Sequence, residues 1–119
     1  MKKTVLILLM VTVLLSGLSI TARAGSQDFL LVNQTGVDLY GVYISPTNSN
    51  SWEENVLGGK ILYDGTSIRI TFSNYSQTYW DLMIKDRLGN SLYWRRINLK
   101  AINKIILYYN GSQVVADFI

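Results

Sequence analysis

The sequence predicts an all-β fold, an antiparallel β-sandwich of about seven strands with one short helical turn. Three observations support this class. Apolar and polar residues alternate with a period of two in short segments along the chain, as they do in half-buried strands. Turn residues separate these segments roughly every 8–12 residues. The residues that follow an N-terminal leader, 25–119, have the length of a single domain.

Residues 1–24 have the features of a secretory signal peptide. A positively charged start is followed by an apolar run over residues 5–15, and residues 22–24 have the small-x-small pattern of a cleavage site. We expect cleavage after Ala24, which leaves no transmembrane segment and places the domain in the periplasm or outside the cell. The alternative is an uncleaved anchor, but polar residues end the run before the ~20 apolar residues that a bilayer requires.

Seven segments alternate clearly enough to be strands. Pro46 ends the second, because proline cannot donate a hydrogen bond to a sheet. In the third, Ile68 and Ile70 face one way and Arg69 faces the other. In the fourth, Trp80 faces the core. The predicted strands are residues 29–33, 37–45, 66–72, 79–86, 91–99, 102–109 and 113–119.

The stretch between the second and third strands interrupts the alternation. Ser51 followed by Glu54 matches a capping box, in which two polar side chains satisfy the free N–H groups at a helix start. Gly58 and Gly59 are typical of a helix end. We therefore expect one or two helical turns over residues 51–57.

The last two strands predict a hairpin. Asn110-Gly111 is the typical sequence of a two-residue type I′ turn. That turn would place Leu107 opposite Val114, and Lys104 opposite Asp117.

A second hairpin is predicted around Gly89. A loop of three or five residues would place Ile84 opposite Trp94. Asp81 would then lie diagonal to Arg95, within reach of a cross-strand ion pair.

Several motifs along residues 28–109 resemble a family of small exported bacterial proteins. The resemblance is to the family's skeleton of LVN-x-TG, hydrophobic-SP, W, LG and WDL motifs. Some members of the family carry the label argininosuccinate lyase. The resemblance implies a compact secreted domain without an established activity. Members often have two cysteines, at places that Thr78 and Lys100 occupy here. The matching segments are FLLVNQTG (29–36), VYISP (42–46), SW (51–52), VLG (56–58) and WDL (80–82).

Composition excludes several classes of function. The chain has no cysteine and no histidine, which excludes Ser-His-Asp and Cys-His catalysis and ordinary zinc or copper sites. Three of the 11 basic residues lie in the leader, so eight remain beside eight acidic residues and the domain has no net charge. Nucleic-acid binding is therefore not expected. We expect no cofactor and no enzymatic activity.

Two stretches are candidate surfaces for a partner or a glycan. The loop over residues 45–55 is long and polar and carries Trp52 beside Glu53. The alternative for Trp52 is a plug that packs onto the core. In the fifth strand, alternation sends Tyr93 and Arg95 outward, beside Met83 of the fourth strand.

The fifth strand also presents a difficulty and an alternative. Arg96 shares the face of Trp94, so it must lie near the end of the sheet or be paired. The alternative for the outer surface is an ordinary sheet face with an Asp81–Arg95 ion pair.

Carboxylates suggest two further kinds of site. Glu53 or Glu54, with Asp64 or Asp81 as partner, could form a glycosidase-like pair, since sugar hydrolysis uses two carboxyl groups. The alternative is a capping Glu54 and a solvated Glu53. A set of loop oxygens is compatible with calcium but equally with turns, namely Asp38, Asp64, Asp86 and Asn90.

We therefore predict a small exported, non-catalytic binding or interaction domain whose partner is an unidentified protein or a cell-envelope glycan. A lectin-like module for envelope glycans is the alternative, followed by a carboxylate-only hydrolase.

Overall fold

A computed structural model describes residues 27–72 and 76–119, which form two β-sheets packed face to face. The predicted all-β sandwich is confirmed, and the described residues contain seven strands. The predicted signal peptide lies outside the described residues. The strands are β1 (Phe29–Gln34), β2 (Leu39–Pro46), β3 (Ser67–Ile70), β4 (Tyr79–Asp86), β5 (Ser91–Asn98), β6 (Lys104–Tyr109) and β7 (Val114–Phe118).

One sheet has the strand order β3-β1-β6-β7, and the other has the order β2-β4-β5. The pairs are antiparallel except for β1 and β6, which run parallel with Leu31 opposite Ile105. Parallel neighbours need a long connection, and here the four strands β2 to β5 lie between them in the chain. The sandwich is therefore antiparallel with one parallel pair at the centre of its larger sheet.

The core lies between the inner faces of the two sheets. β1 buries Phe29 and Leu31, and β6 buries Ile105 and Leu107, in each case every second residue. Burying one such side chain contributes roughly 1.5–3 kcal/mol. The smaller sheet contributes a matching apolar row, namely Val42, Ile44, Trp80, Leu82 and Ile84.

Asn33 fixes the turn between β1 and β2 from inside the protein. Its side-chain nitrogen donates to the carbonyl oxygens of Val37 and Leu62, each at 2.9 Å. Its side-chain oxygen accepts hydrogen bonds from the backbone N–H and the hydroxyl of Thr35. The buried amide is thus fully hydrogen-bonded, and Gly36 completes the turn with a φ of 91°.

The predicted helical turn over residues 51–57 is wrong. Residues 53–56 instead run beside β2, with the Val56 N–H donating to the Val42 carbonyl. Asn55 makes the alternative favourable, because its side-chain oxygen accepts from the N–H groups of Val42 and Leu57. This side chain replaces the partners that a helix would supply. Among the described residues the helical turn is a 3₁₀ turn at Leu99–Ala101.

The register predicted for the β6–β7 hairpin is also wrong. Leu107 lies opposite Ala116 rather than Val114, and residues 110–113 form a four-residue connection. The Asn110 side-chain oxygen accepts hydrogen bonds from the N–H groups of Ser112 and Gln113, which holds the wider loop. Because the shift is two residues, every side chain keeps its predicted face.

Lys104 is consequently not opposite Asp117, as predicted. Lys104 exchanges backbone hydrogen bonds with Ile119, and Asp117 lies opposite Ile106.

The β4–β5 hairpin differs from the prediction in the same way. Ile84 lies opposite Leu92, and Trp94 lies opposite Leu82. The Asp86 side chain accepts hydrogen bonds from the N–H groups of Leu88 and Asn90, which closes a tight loop.

In the part of the chain that the structure describes, no helix is long and apolar enough to cross a bilayer.

Candidate functional site

A β-bulge in β5 determines how the outer side chains of this strand are presented. Trp94 pairs with Leu82 and Ile97 pairs with Trp80, so Arg95 and Arg96 together face Asp81. Arg96 has a φ of 56°, in the left-handed region. Two residues opposite one is the signature of a bulge, a feature often found beside functional sites.

The bulge resolves the difficulty that Arg96 posed for the alternation. Arg96 does not share the face of Trp94, because the extra residue resets the period and Ile97 enters the core instead. The Arg96 guanidinium lies over the Tyr79 ring, 4.5 Å from its centroid. A cation over an aromatic face is a favourable arrangement for a partly exposed arginine.

Asp81 holds the bulge to the neighbouring loop. Its Oδ1 accepts hydrogen bonds from the Thr47 hydroxyl at 2.7 Å and from the Arg96 N–H at 3.0 Å. Its Oδ2 lies 3.5 Å from an Arg95 guanidinium nitrogen. The predicted Asp81–Arg95 ion pair is therefore present. The Asp81 side chain is 7% exposed and that of Arg95 is 59% exposed.

Further hydrogen bonds hold the loop after β2 in place. The Ser45 hydroxyl accepts a hydrogen bond from the Glu53 N–H at 2.9 Å. The Thr47 N–H donates to the Tyr79 carbonyl at 3.0 Å. Ser49 and Ser51 bond to one another through a hydroxyl and two backbone groups. These contacts fold residues 45–53 back over the start of β4.

The loop and the bulge together form a small cleft of about 90 Å³. Trp52 and Arg95 both line it, so two residues predicted from separate stretches of sequence meet in one place. Trp52 is half-buried, which leaves part of the indole in contact with the cleft. Beside them the cleft is lined mainly by polar side chains, including Ser49, Asn50 and Asp81.

The outer face of the smaller sheet continues from the cleft along β4. Met83 lies between Tyr43 and Tyr93 in register and is only 8% exposed, although we predicted it as part of the surface. The two flanking tyrosines account for its burial on this face. Tyr93 itself is 59% exposed, and Glu53 is exposed beside the cleft.

Tyr43 also belongs to this face, although the alternation pattern did not single it out. Its ring lies over Gly41, where a Cβ atom would come within 2.8 Å of the ring. The Lys85 ammonium lies 5.5 Å from the ring centroid on the same face. A glycine two residues before an outward tyrosine was the available signal, since glycine within a strand often marks a close approach.

The residues considered for calcium serve as turn residues. An Asp38 oxygen accepts from the Asp64 N–H, and an Asp64 oxygen accepts from the Gly36 N–H. The Asn90 amide donates to Asp86 at the far end of β4, and this bond is the main reason that the pKa of Asp86 lies below its usual value.

A larger groove of about 310 Å³ lies beside β5 on the side away from β4. Its apolar lining joins the two sheets at one open side of the sandwich. Its apolar side chains are Trp94, Ile97, Ala101, Ile102 and Phe118, and the groove is also lined by Arg95, Arg96 and Asn98.

Comparisons with known proteins bear on the fold. No protein-family model and no curated protein sequence matches the chain. A solved structure described as the "NMR structure of the protein from Eubacterium rectale" is similar, with a TM-score of 0.56 and 12% sequence identity. The match covers 86% of this chain and 94% of that chain. At this identity the likeness is one of fold alone, shared with a bacterial protein over most of the chain.

Proposed function

We propose that this chain is an exported, non-catalytic binding module, and that its ligand contacts the Trp52 cleft and the adjoining outer face. The observation that carries the proposal is the meeting of Trp52 with the Asp81–Arg95 pair. Hydrogen bonds and an ion pair connect the buried Asp81 carboxylate to the loop after β2 and to the bulge in β5, which are far apart in sequence. Rigid support of this kind lowers the entropy lost when a ligand binds.

The chemistry of the cleft supports binding rather than hydrolysis. Asp81 is the carboxylate of its lining, and it holds Thr47, Arg95 and Arg96. A glycosidase needs a second carboxyl about 5–10 Å away to act with the first. Glu53 and Glu54 are both exposed and are not part of the lining.

In-cell crosslinking tests the proposed binding surface. A photoreactive phenylalanine derivative at position 93 is compared with one at position 109, since Tyr93 and Tyr109 are 59% and 55% exposed but lie in different sheets. We expect adducts from position 93 and few from position 109. Equal yields at the two positions would contradict the assignment of this surface.

Export is tested separately by sequencing the N-terminus of the protein recovered from the cell envelope and medium. We expect it to begin at Gly25. A chain that still begins at Met1 in the envelope would contradict cleavage.

A further inference from the structure

We infer that the Trp52 cleft binds one ring of a neutral saccharide. This inference deepens the proposed binding function and depends on it. A sugar ring presents an apolar face of C–H groups and an edge of hydroxyl groups. Each hydroxyl both donates and accepts a hydrogen bond, so a complementary site needs an aromatic surface with donors and acceptors beside it.

The cleft has these three components. Trp52 supplies a half-buried aromatic ring with a large contact area. Arg95 contacts Asp81 through a single guanidinium nitrogen, and a guanidinium carries five N–H donors. Asp81 Oδ2 has that one contact at 3.5 Å, whereas Oδ1 accepts two shorter bonds. Oδ2 is therefore the oxygen with capacity for a ligand hydroxyl.

The charges of the lining favour a neutral ligand. Arg95 and Asp81 are its charged members, they have opposite signs, and they are in contact. A phosphate or carboxylate would be repelled by the Asp81 carboxylate, and a protonated amine would be repelled by the Arg95 guanidinium. A hydroxyl pair can instead accept from Arg95 and donate to Asp81 at the same time. The paired charges thus match vicinal hydroxyl groups better than they match an ion.

The size of the cleft limits how much of a ligand can enter. At about 90 Å³ it is well below the roughly 300–1,000 Å³ of pockets that enclose a drug-sized molecule. One ring, or the edge of one, is therefore the largest unit it takes. Tyr93 lies two residues from Arg95 on the same face and is exposed. It offers a second aromatic surface for the next ring of a chain.

The test is a titration of the ¹⁵N-labelled domain, residues 25–119, followed by NMR. The probes are the neutral tetrasaccharides of glucose and of N-acetylglucosamine, the anionic tetramer of galacturonic acid, and an unstructured peptide of balanced charge. Each is added to about 20 mM, above the millimolar Kd expected when so little surface is buried. We expect a neutral tetrasaccharide to shift the Trp52 indole and Arg95 signals along a saturating curve.

Variants connect these shifts to the cleft. Trp52→Ala should weaken binding about tenfold or more, as removal of a central aromatic contact does. Trp52→Phe and Arg95→Gln retain bulk and protect the fold, and the first should keep more affinity than Trp52→Ala. Tyr109→Ala, on the other sheet, should bind as the parent does. Each variant is compared only after its remaining NMR signals match those of the parent.

Two results would overturn the inference. One is the absence of saturating shifts with both neutral tetrasaccharides. The other is binding of the galacturonate tetramer or the peptide to this cleft in preference to them. Crosslinking at position 93 separates the failure of the two proposals. If adducts form but no saccharide binds, the proposed binding function stands and only the saccharide inference is contradicted. If neither saccharide binding nor crosslinking at position 93 is observed, both the saccharide inference and the proposed binding function are contradicted.

Discussion

Single side chains with several hydrogen bonds determine much of the local geometry in this protein. Asn33 is fully buried, and its amide joins the end of β1 to Thr35, Val37 and Leu62. This explains an Asn-x-Thr-Gly pattern in physical terms, since the short asparagine side chain offers two donors and an acceptor in one plane. The turn was predicted but the buried amide was not, because alternation is a pattern of apolar residues and does not reveal which hydrogen bonds a polar side chain makes.

Asn33→Ala is expected to destabilise the domain by about 2–3 kcal/mol, because buried carbonyl and hydroxyl groups lose their partners. Urea unfolding followed by tryptophan fluorescence measures the change. Asn103→Ala provides the matched control, since Asn103 is exposed and its removal should change stability by less than about 0.5 kcal/mol. A loss in Asn33→Ala as small as that of the control would contradict the structural role.

Asp86 provides a prediction about titration. The Asn90 side chain is the largest cause of its lowered pKa, followed by opposing desolvation and by backbone hydrogen bonds. Asn90→Ala removes the side-chain bond but keeps the backbone N–H, so the pKa of Asp86 should rise toward its usual value. Carboxyl ¹³C NMR across acidic pH measures it. An unchanged titration midpoint would show that the amide is not the cause.

The sign of the stability effect follows from the same shift. Because the folded-state pKa of Asp86 is lowered, its contribution to stability is present above the unfolded-state pKa. The contribution is lost as the pH falls through the folded-state value. Asn90→Ala should therefore reduce stability near neutral pH and leave stability at strongly acidic pH unchanged.

At the scale of elements, strands were predictable and their pairing was less so. Alternation located all the strands of the described chain, and β4 was predicted at Tyr79–Asp86 with its bounds correct. The two hairpin registers were wrong by two residues because Asn110 and Asp86 hold the turns through side-chain oxygens. A local side-chain bond competes with backbone turn geometry in a way that residue spacing does not reveal.

The candidate site was predictable in its parts but not in its assembly. Trp52, Tyr93 and Arg95 were identified as single residues, and Asp81 was correctly paired with Arg95. The bulge was not predicted, although the inserted residue shifts the alternation by one position and the misplaced Arg96 was its trace in the sequence. The meeting of Trp52 with Arg95 depends on that bulge and on a loop that was expected to be helical.

Asp81→Ala is expected to cost about 2–4 kcal/mol, because the Thr47 hydroxyl and the Arg96 N–H both lose their acceptor. Asp81→Asn keeps an acceptor oxygen and should cost less. Denaturant unfolding compares the two, and NMR reports whether the Thr47 and Arg96 amide signals move. Equal losses in both variants would contradict a role based on hydrogen bonding.

At the scale of the whole molecule, packing without cross-links is the main source of stability. The chain has no cysteine, and its 14 aromatic residues all lie between Phe29 and Phe118. Phe29, Phe72 and Trp80 form one contact chain, with centroid distances of 6.3 and 4.7 Å. The fold class was predictable because short alternating segments separated by turns have few other ways to bury their apolar faces.

Leu107→Ala should destabilise the domain by about 2–5 kcal/mol, since Leu107 is fully buried at the centre of the larger sheet. Tyr109→Ala, two residues along the same strand but exposed, is the comparison and should have a much smaller effect. Thermal unfolding of both variants measures the difference. Similar melting temperatures would show that the two sheets are not packed as described.

The parallel pairing of β1 with β6 has a consequence for the order in which the protein is made. β1 precedes the other described strands in the chain and sits between β3 and β6, whereas β6 follows β2 to β5. Contacts between residues far apart in sequence form slowly, because the entropy of closing a long loop is lost before the contact can stabilise the chain. The larger sheet therefore stays open until β6 has been synthesised, and until then β1 has only β3 beside it in that sheet.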